Sequence, residues 1–506
     1  MCLLIIICML FSAVSTSHAT DYNNHCCERL AEHFSQQLSY PSNDTYQQFL
    51  DGYWTERESE LEPNCIFTAE KSQDVARAVG ILGKTSQCKF AVRGVGHTGW
   101  PGAANIESGI TFDLSRLDDT TTVGNTSVEV GAGARWNAVY EHLDALGLHI
   151  AGGRFASVGV AGLTLGGGIS FFSARYGWVC DSTVSSANKP DLFRALKGGS
   201  NNFGIVTAFR FKAFQGGDLL VGSAVYDTTQ SDDLATAFVD LASTPIDQYD
   251  PYASFAQIHS WEKQSDVATK VIVNTFTYTK LPAVNSTPPF LSELQNAAPQ
   301  LASSLNILSL QKSFSDVNNL DNPTSPRRVL INMNFHADAA FMIVLIELLD
   351  KTITHFLDRI PRSACSVAFQ PLHPIMTSKS KNTGGNVIKR SDRALATPEY
   401  ELASPESGYI INVNPTVQWA GAENDAFVKE LWEETFAEAQ RMAVRYGVAT
   451  DWVYLNYAER WQDPIQGYGK ANVEFMRKVS MKYEPKGVFQ RQLSGGFRLW
   501  QREGGA

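Results

Sequence analysis

Glycine places the tightest limit on what this chain can fold into. Between Gly147 and Gly204 it recurs at Gly152-Gly153, Gly159, Gly162, Gly166-Gly167-Gly168 and Gly198-Gly199. Such density serves positive-φ turns, or lets backbone N–H groups approach a ligand where a Cβ would collide. Apolar residues such as Val158, Val160, Leu163 and Leu165 are interleaved throughout, which a flexible Gly/Ser linker would lack. The segment is therefore read as folded and ligand-facing.

A second glycine group lies upstream. Phe90-Ala91-Val92-Arg93 reads as a short buried strand, and Gly94-Val95-Gly96-His97 follows at once. Main-chain N–H groups in such a turn can hold a pyrophosphate, Arg93 can add charge and His97 can face a ring system. The competing reading makes His97 a capped or solvated turn histidine. Other common sites fail on their residues. Gly131-Ala132-Gly133-Ala134-Arg135-Trp136 puts Trp where a dinucleotide fingerprint needs its third glycine. No P-loop, H-E-x-x-H or G-x-S-x-G string occurs, and no cysteine or histidine spacing suggests a metal.

From Cys65 the hydrophobic pattern alternates between strand and helix. Asp74 to Gly83 carries Val75, Val79 and Leu82 on one helical face. Gly109–Leu114 and Ser127–Val130 read as strands, and Arg135–Leu146 as a helix, giving an α+β domain. From about residue 216 the strands lengthen, as in Lys270–Asn274, and an apolar helix is expected over Ala339–Leu357. A Pro/Ser/Asn-rich loop runs through Asn322–Pro326. Glu423–Met442 reads as an amphipathic helix with Phe427, Leu431 and Trp432 inward, and Asp451–Trp500 as short strands and turns. The 506 residues correspond to roughly three domains at about 150 residues each.

Composition narrows the partners. A net charge of −10 argues against nucleic acid, whose binding rests on clustered Lys and Arg. Residues 1–19 read as a secretory signal without a basic n-region: Leu3–Phe11 is apolar but too short to span a bilayer, and Ser17-His18-Ala19 offers a cleavage site. Sequons at Asn43, Asn125 and Asn285 fit a secreted glycoprotein. Eight cysteines become six once Cys2 and Cys8 leave with the signal. One or two disulfides are expected among Cys26, Cys27, Cys65 and Cys88, in a pairing that spacing leaves open, with Cys180 and Cys365 besides. No transmembrane helix is expected.

Three strings then resemble the flavin domain of berberine-bridge-enzyme-like oxidases, in the vanillyl-alcohol oxidase superfamily. They are Ala91-Val92-Arg93-Gly94-Val95-Gly96-His97, Val158 through Gly168, and Lys197-Gly198-Gly199-Ser200-Asn201-Asn202-Phe203-Gly204-Ile205-Val206-Thr207. Tyr454-Leu455-Asn456-Tyr457, Tyr468-Gly469 and Lys482–Gln490 resemble the family's terminal segment. The resemblance implies a two-subdomain PCMH-type FAD-binding domain over 61–215, shortened near 181–190. It also implies a substrate domain over 216–440, an antiparallel sheet flanked by helices, and a segment over 441–506 that completes the FAD domain. Residues 20–60 precede these.

The resemblance also implies roles. FAD would be held covalently by His97, with Arg93, Gly94, Val95, Gly96 and Thr98 on the phosphate-side loop and Ser157, Val158, Gly162, Gly167, Ile205 and Val206 as further contacts. The family's second anchor is a cysteine at the place of Phe155, so a single link is expected. Val158 matches the position where valine leaves room for dioxygen, which would be reduced to hydrogen peroxide. Tyr457 matches the family's base: a tyrosinate beside a cationic group could take a hydroxyl proton as the substrate is oxidised. Asn456 would orient flavin or substrate, and Asn412, Thr416 and Gln418 would line the substrate face.

Two departures stand out. The family's R-G-G-G-H carries Val95 at its middle glycine, at a cost of about 1–2 kcal/mol if φ there is positive. Between Asp181 and Lys189 the chain has only Ser182–Asn188, short by on the order of a dozen residues, about one strand. The resulting expectation is a monomeric, secreted FAD-linked oxidase acting on a small organic alcohol or phenol-like substrate in secondary metabolism. The alternatives are a carbohydrate oxidase and a non-catalytic glycoprotein that keeps the fold.

Overall fold

The computed structural model describes residues 25–124, 126–184, 188–264, 267–283, 286–314, 326–388 and 408–500. The expected signal segment, the sequons at Asn125 and Asn285, and most of the Asn322–Pro326 stretch lie outside these residues.

Two small sheets precede residue 216. The first runs in the order β1 (Leu38–Ser39), β2 (Cys65–Thr68), β4 (Ile110–Asp113), β3 (Phe90–Arg93), with β2, β4 and β3 parallel. These strands are almost continuously buried, as a parallel sheet covered on both faces requires. Disulfides Cys26–Cys88 and Cys27–Cys65 staple a helix over 25–34 to it, while Cys180 and Cys365 are free and buried. The second sheet is antiparallel, ordered β5 (Thr120–Val123), β6 (Ser127–Gly131), β8 (Ala208–Gln215), β7 (Leu148–Ile150).

The stretch expected to be short reaches this second sheet through its first residues. Thr183 makes an antiparallel bridge with Phe211, and Val184 N–H donates to Arg210 O at 2.7 Å. The chain returns through Lys189, at φ 62°, into a helix over Pro190–Leu196. Flanking it, buried Lys197 lies 3.6 Å from buried Asp181, which also accepts from Asn386 Nδ2 at 3.2 Å. Burial raises the Asp181 pKa and the Lys197 charge opposes that rise. A cavity of about 550 Å³ opens beside this segment, walled by Val184, Phe193, Phe214 and Arg175 among others.

The third sheet is wholly antiparallel and has eight strands. Its order is β12 (Gln300–Leu308), β9 (Leu219–Tyr226), β11 (Val267–Tyr278), β10 (Ala253–Gln264), β15 (Ala364–Leu372), β16 (Ile410–Trp419), β13 (Arg327–Leu330), with β14 (Met333–His336) also on β16. Helices Ser231–Ala242, Ala339–Arg359 and Asp425–Arg445 contribute to one core with its apolar side. Strand alternation decides which residues go where. Ile411, Val413, Val417 and Trp419 join that core, and Asn412, Asn414, Thr416 and Gln418 take the other face. On β15, Cys365, Val367 and Phe369 pack inward and Ser366, Ala368 and Gln370 face away.

Helix Asp425–Arg445 carries the expected inward face: it buries Val428, Trp432, Thr435, Phe436, Ala439 and Ala443, and Phe427 and Leu431 pack partly buried against the same core. Trp432 is fully buried, and truncating such a side chain costs about 3–5 kcal/mol. The tail is not all strands and turns. Lys470–Tyr483 is a helix that buries Val473, Met476, Val479 and Ser480 at helical spacing. No helix among the described residues is long and apolar enough to cross a membrane.

Candidate active site

A cavity of about 320 Å³ lies between the glycine-rich segments and the polar face of the third sheet. Gly94, Val95, Gly96, His97 and Thr98 form one wall, as β3 ends and the chain turns. Gly96 has φ 82°, and a Cβ there would stand 2.6 Å from the Tyr53 ring, so both backbone and space demand glycine. Val95 is absent from the positive-φ residues, so the feared backbone strain does not arise. Its side chain is buried against Gly159, where an added Cβ would sit 2.7 Å from Val95 Cβ. The glycine across the gap makes room for the valine.

His97 stacks on Trp54, with ring centroids 4.6 Å apart and planes 14° from parallel, and its Nε2 is 3.4 Å from Ser157 Oγ. Trp54 is itself held from both sides: its N–H donates to Gly96 O at 3.1 Å, and Arg328 Nη1 donates to its carbonyl at 2.8 Å. Nothing in the sequence near Trp54 marks it as a partner of His97. Ser157, Val158, Gly162, Ile205, Val206 and half-exposed Phe155 complete the glycine-rich side.

Two expected cofactor contacts lie elsewhere. Arg93 does not line the cavity. Its guanidinium is sandwiched between the rings of Phe49 and Tyr53, 4.3 and 4.2 Å from their centroids, and donates to Phe49 O at 2.6 Å and Val95 O at 3.3 Å. Alternation along β3 sends Val92 to the cavity and Arg93 behind the loop, which it braces. Gly167 also lies off the cavity, against Ile388, Trp178 and Tyr454.

Glu58 supports the same side from underneath. It is fully buried and accepts from the backbone N–H groups of Ala104 at 2.7 Å and Gly102 at 3.0 Å. Burial pushes its carboxyl from an ordinary 4.5 up to about 7, against the pull of those N–H donors. Ala103 and Ala104, on the loop it holds, face the cavity.

The opposite side is built from side chains. Ile258, Ser366, Ala368, Gln370, Asn414 and Thr416 project from β10, β15 and β16; Asn412 and Gln418, expected on this face, do not reach the cavity. Asn412 is instead consumed by a bond from its Nδ2 to Asn334 Oδ1 at 2.7 Å. Tyr457 and Asn456 enter from the C-terminal segment. Asn456 Nδ2 donates to Leu163 O at 3.0 Å and to Tyr454 Oη at 2.8 Å, so it fastens that turn to the glycine-rich side. Arg154 Nη2 donates to Tyr457 Oη at 3.2 Å and also to Gln370 Oε1. Arg154 was invisible to the sequence reading; only its place beside Phe155 could have drawn attention to it.

The cavity thus combines a glycine-rich wall, a histidine stacked on a tryptophan and a tyrosine bonded to an arginine. A family model described as an FAD binding domain matches residues 63–187. The FAD-dependent monooxygenase sdcF of Emericella nidulans is 33% identical over 503 residues, covering 94% of this chain and 98% of that protein. The FAD-dependent monooxygenase tpcD of Cochliobolus heterostrophus is 31% identical, covering 92% and 90%. Wild-type BBE-like 1 of Physcomitrella patens shares the fold at a TM-score of 0.68 and 17% identity, over 94% of this chain and 100% of that one. The protein is thus an FAD-dependent oxidoreductase. It belongs to the family of these FAD-dependent monooxygenases and shares its fold with the BBE-like protein.

The cavity fits the cofactor on its own terms. Trp100 Nε1 and Asn414 Oδ1 are buried in its walls without a hydrogen-bond partner among the described residues, one a donor and one an acceptor awaiting a ligand. The glycine-rich side offers backbone approach for phosphates, and Val92, Leu114, Leu163 and Leu165 offer apolar contact.

Proposed function

We propose that the protein oxidises a small organic alcohol or phenol-like substrate, with FAD attached through His97 alone and dioxygen accepting the electrons as hydrogen peroxide. The observation that carries this reading is that His97, Phe155, Val158 and Tyr457, distant in sequence, line one cavity. When bound, FAD supplies a two-electron acceptor. His97, oriented by Trp54 and Ser157, is the residue to which the ring would be joined. Phe155 stands where a second link would need a thiol, which counts against the bulky-sugar reading. Val158 supports dioxygen access.

Tyr457 takes the substrate hydroxyl proton. Its Oη already accepts from Arg154, which sets a positive charge against the oxygen that receives the proton. The carbinol carbon gives up a hydrogen with two electrons and the hydroxyl gives its proton to Tyr457 as the C=O bond forms; those two electrons and two hydrogens balance the reduction of O2 to H2O2. The relatives' names favour a second outcome, in which one oxygen atom of O2 enters the product. Labelling with 18O2 separates the two: label in peroxide alone supports the oxidase, label in the organic product the monooxygenase. The disulfides support an oxidising compartment and hence the secretory route.

The first test is flavin fluorescence of the SDS-denatured protein. A fluorescent band that is lost in His97→Ala, with FAD then found free in the supernatant, is the expected result. A dark wild-type band with FAD released would sink the covalent link. A colourless protein with none released would favour the non-catalytic alternative.

A further inference from the structure

We propose that Arg154 is the specificity-determining residue of this site and that the substrate carries an anionic oxygen, a carboxylate or an ionised phenol, which its guanidinium binds. The inference rests on reading the cavity as the FAD and substrate site, and it names the substrate class that site takes.

Among the described residues lining the cavity there is no aspartate, glutamate or lysine, and Arg154 is the one arginine. No carboxylate among the described residues lies within ion-pair distance of it. Its hydrogen-bond partners, Gln370 Oε1 and Tyr457 Oη, are both reached through Nη2, so the tyrosine that serves as base covers one edge of the guanidinium alone. A partly buried guanidinium edge without a counter-charge is costly, and a site that keeps one gains by supplying the counter-charge with its ligand. The Nη1 and Nε edge has no hydrogen-bond partner among the described residues, which leaves a planar donor pair suited to two oxygens of one acid group.

Position adds to charge. Gln370 holds the guanidinium to the substrate-side sheet, and Tyr457 shares the same nitrogen. An acid group on Nη1 and Nε would therefore place the rest of a small molecule beside the Tyr457 oxygen. Asn414 Oδ1, buried and unpartnered among the described residues on the neighbouring strand, can accept from a substrate hydroxyl. The anion is assigned to the substrate and not to the cofactor's phosphates because Arg154 is tied to Gln370 and Tyr457. The backbone turns at Gly94–Gly96 and the Trp100 indole lie on the glycine-rich wall.

The test uses benzoate and benzamide, which share a shape and differ in charge at neutral pH. Each is titrated into the yellow holoenzyme, with binding read from the perturbed flavin absorbance and from calorimetry. Benzoate is expected to bind at least tenfold more tightly than benzamide, and Arg154→Gln to abolish that preference while flavin content is kept. Arg154→Lys should retain part of it. Equal affinity for the two, a preference that survives Arg154→Gln, or no response to either would overturn the proposal. Should Arg154→Gln fail to fold, salt decides on the wild type: benzoate binding must weaken with ionic strength and benzamide binding must not. A colourless protein would defeat the underlying FAD reading, whereas a yellow protein indifferent to charge would defeat only this one.

Discussion

The two sides of the cavity are built by opposite means. The glycine-rich side is backbone: short runs at 94–98, 157–162 and 204–206, each nearly contiguous, where the absence of a Cβ shapes the wall. The facing side is all side chains, and its central contacts join residues 216 and 303 positions apart, Arg154 to Gln370 and Arg154 to Tyr457. The first arrangement suits a ligand common to a whole family, since main-chain groups can approach its phosphates where no Cβ intervenes. The second can be changed one side chain at a time, and that is where members of one family can come to differ in substrate.

If the side-chain wall holds the chemistry, Tyr457→Phe should cause the largest effect, a fall in turnover of about 10²- to 10⁴-fold, the usual contribution of a general base. Flavin content and the cofactor spectrum should stay unchanged. Undiminished turnover by stopped-flow bleaching would show that the side-chain wall does not hold the chemistry.

The backbone wall should respond through stability instead. Glu58 titrates near 7 in the folded protein and near 4.5 when exposed, so the folded state holds its proton more tightly. Its stabilising contribution is full below about pH 4.5 and is lost as pH rises through about 7. Urea midpoints should therefore drop over that window by the equivalent of about 2–3 kcal/mol, and Glu58→Gln should flatten the dependence. An unchanged slope in the variant would remove Glu58 as its source.

The smallest effect sharpens the comparison most. Gly159→Ala forces a Cβ onto Val95 and should cost about 1–3 kcal/mol. Val95→Gly in the same chain should restore most of that loss. Additive effects in this double-mutant cycle, measured by thermal unfolding, would mean that the two positions do not share the space.

Legibility in the sequence follows the same division. The strand Phe90–Arg93, the turn after it and His97 at its end emerged where expected, because each requirement was local. Arg93 was placed wrongly because a charge next to a phosphate-type loop says nothing about which way a strand points it. Its partners, Phe49 and Tyr53, belong to a segment with no motif of its own. The Val95 departure looked costly in isolation and is harmless beside Gly159. The helix Lys470–Tyr483 was readable from Val473, Met476 and Val479, but short turn-like strings on either side obscured the period.

The sequence by itself determined the backbone: the α+β architecture, the glycine turns, the histidine at the end of its strand and the family. Those features depend on φ, on Cβ sterics and on hydrophobic period, all set by residues close together in the chain. Only the tertiary structure decided that Arg154, Gln370 and Tyr457 meet, that Trp54 covers His97, and that Arg93 turns away. Such meetings depend on strand register and on how separate segments pack, and no local stretch of residues encodes the distance between two parts of the chain.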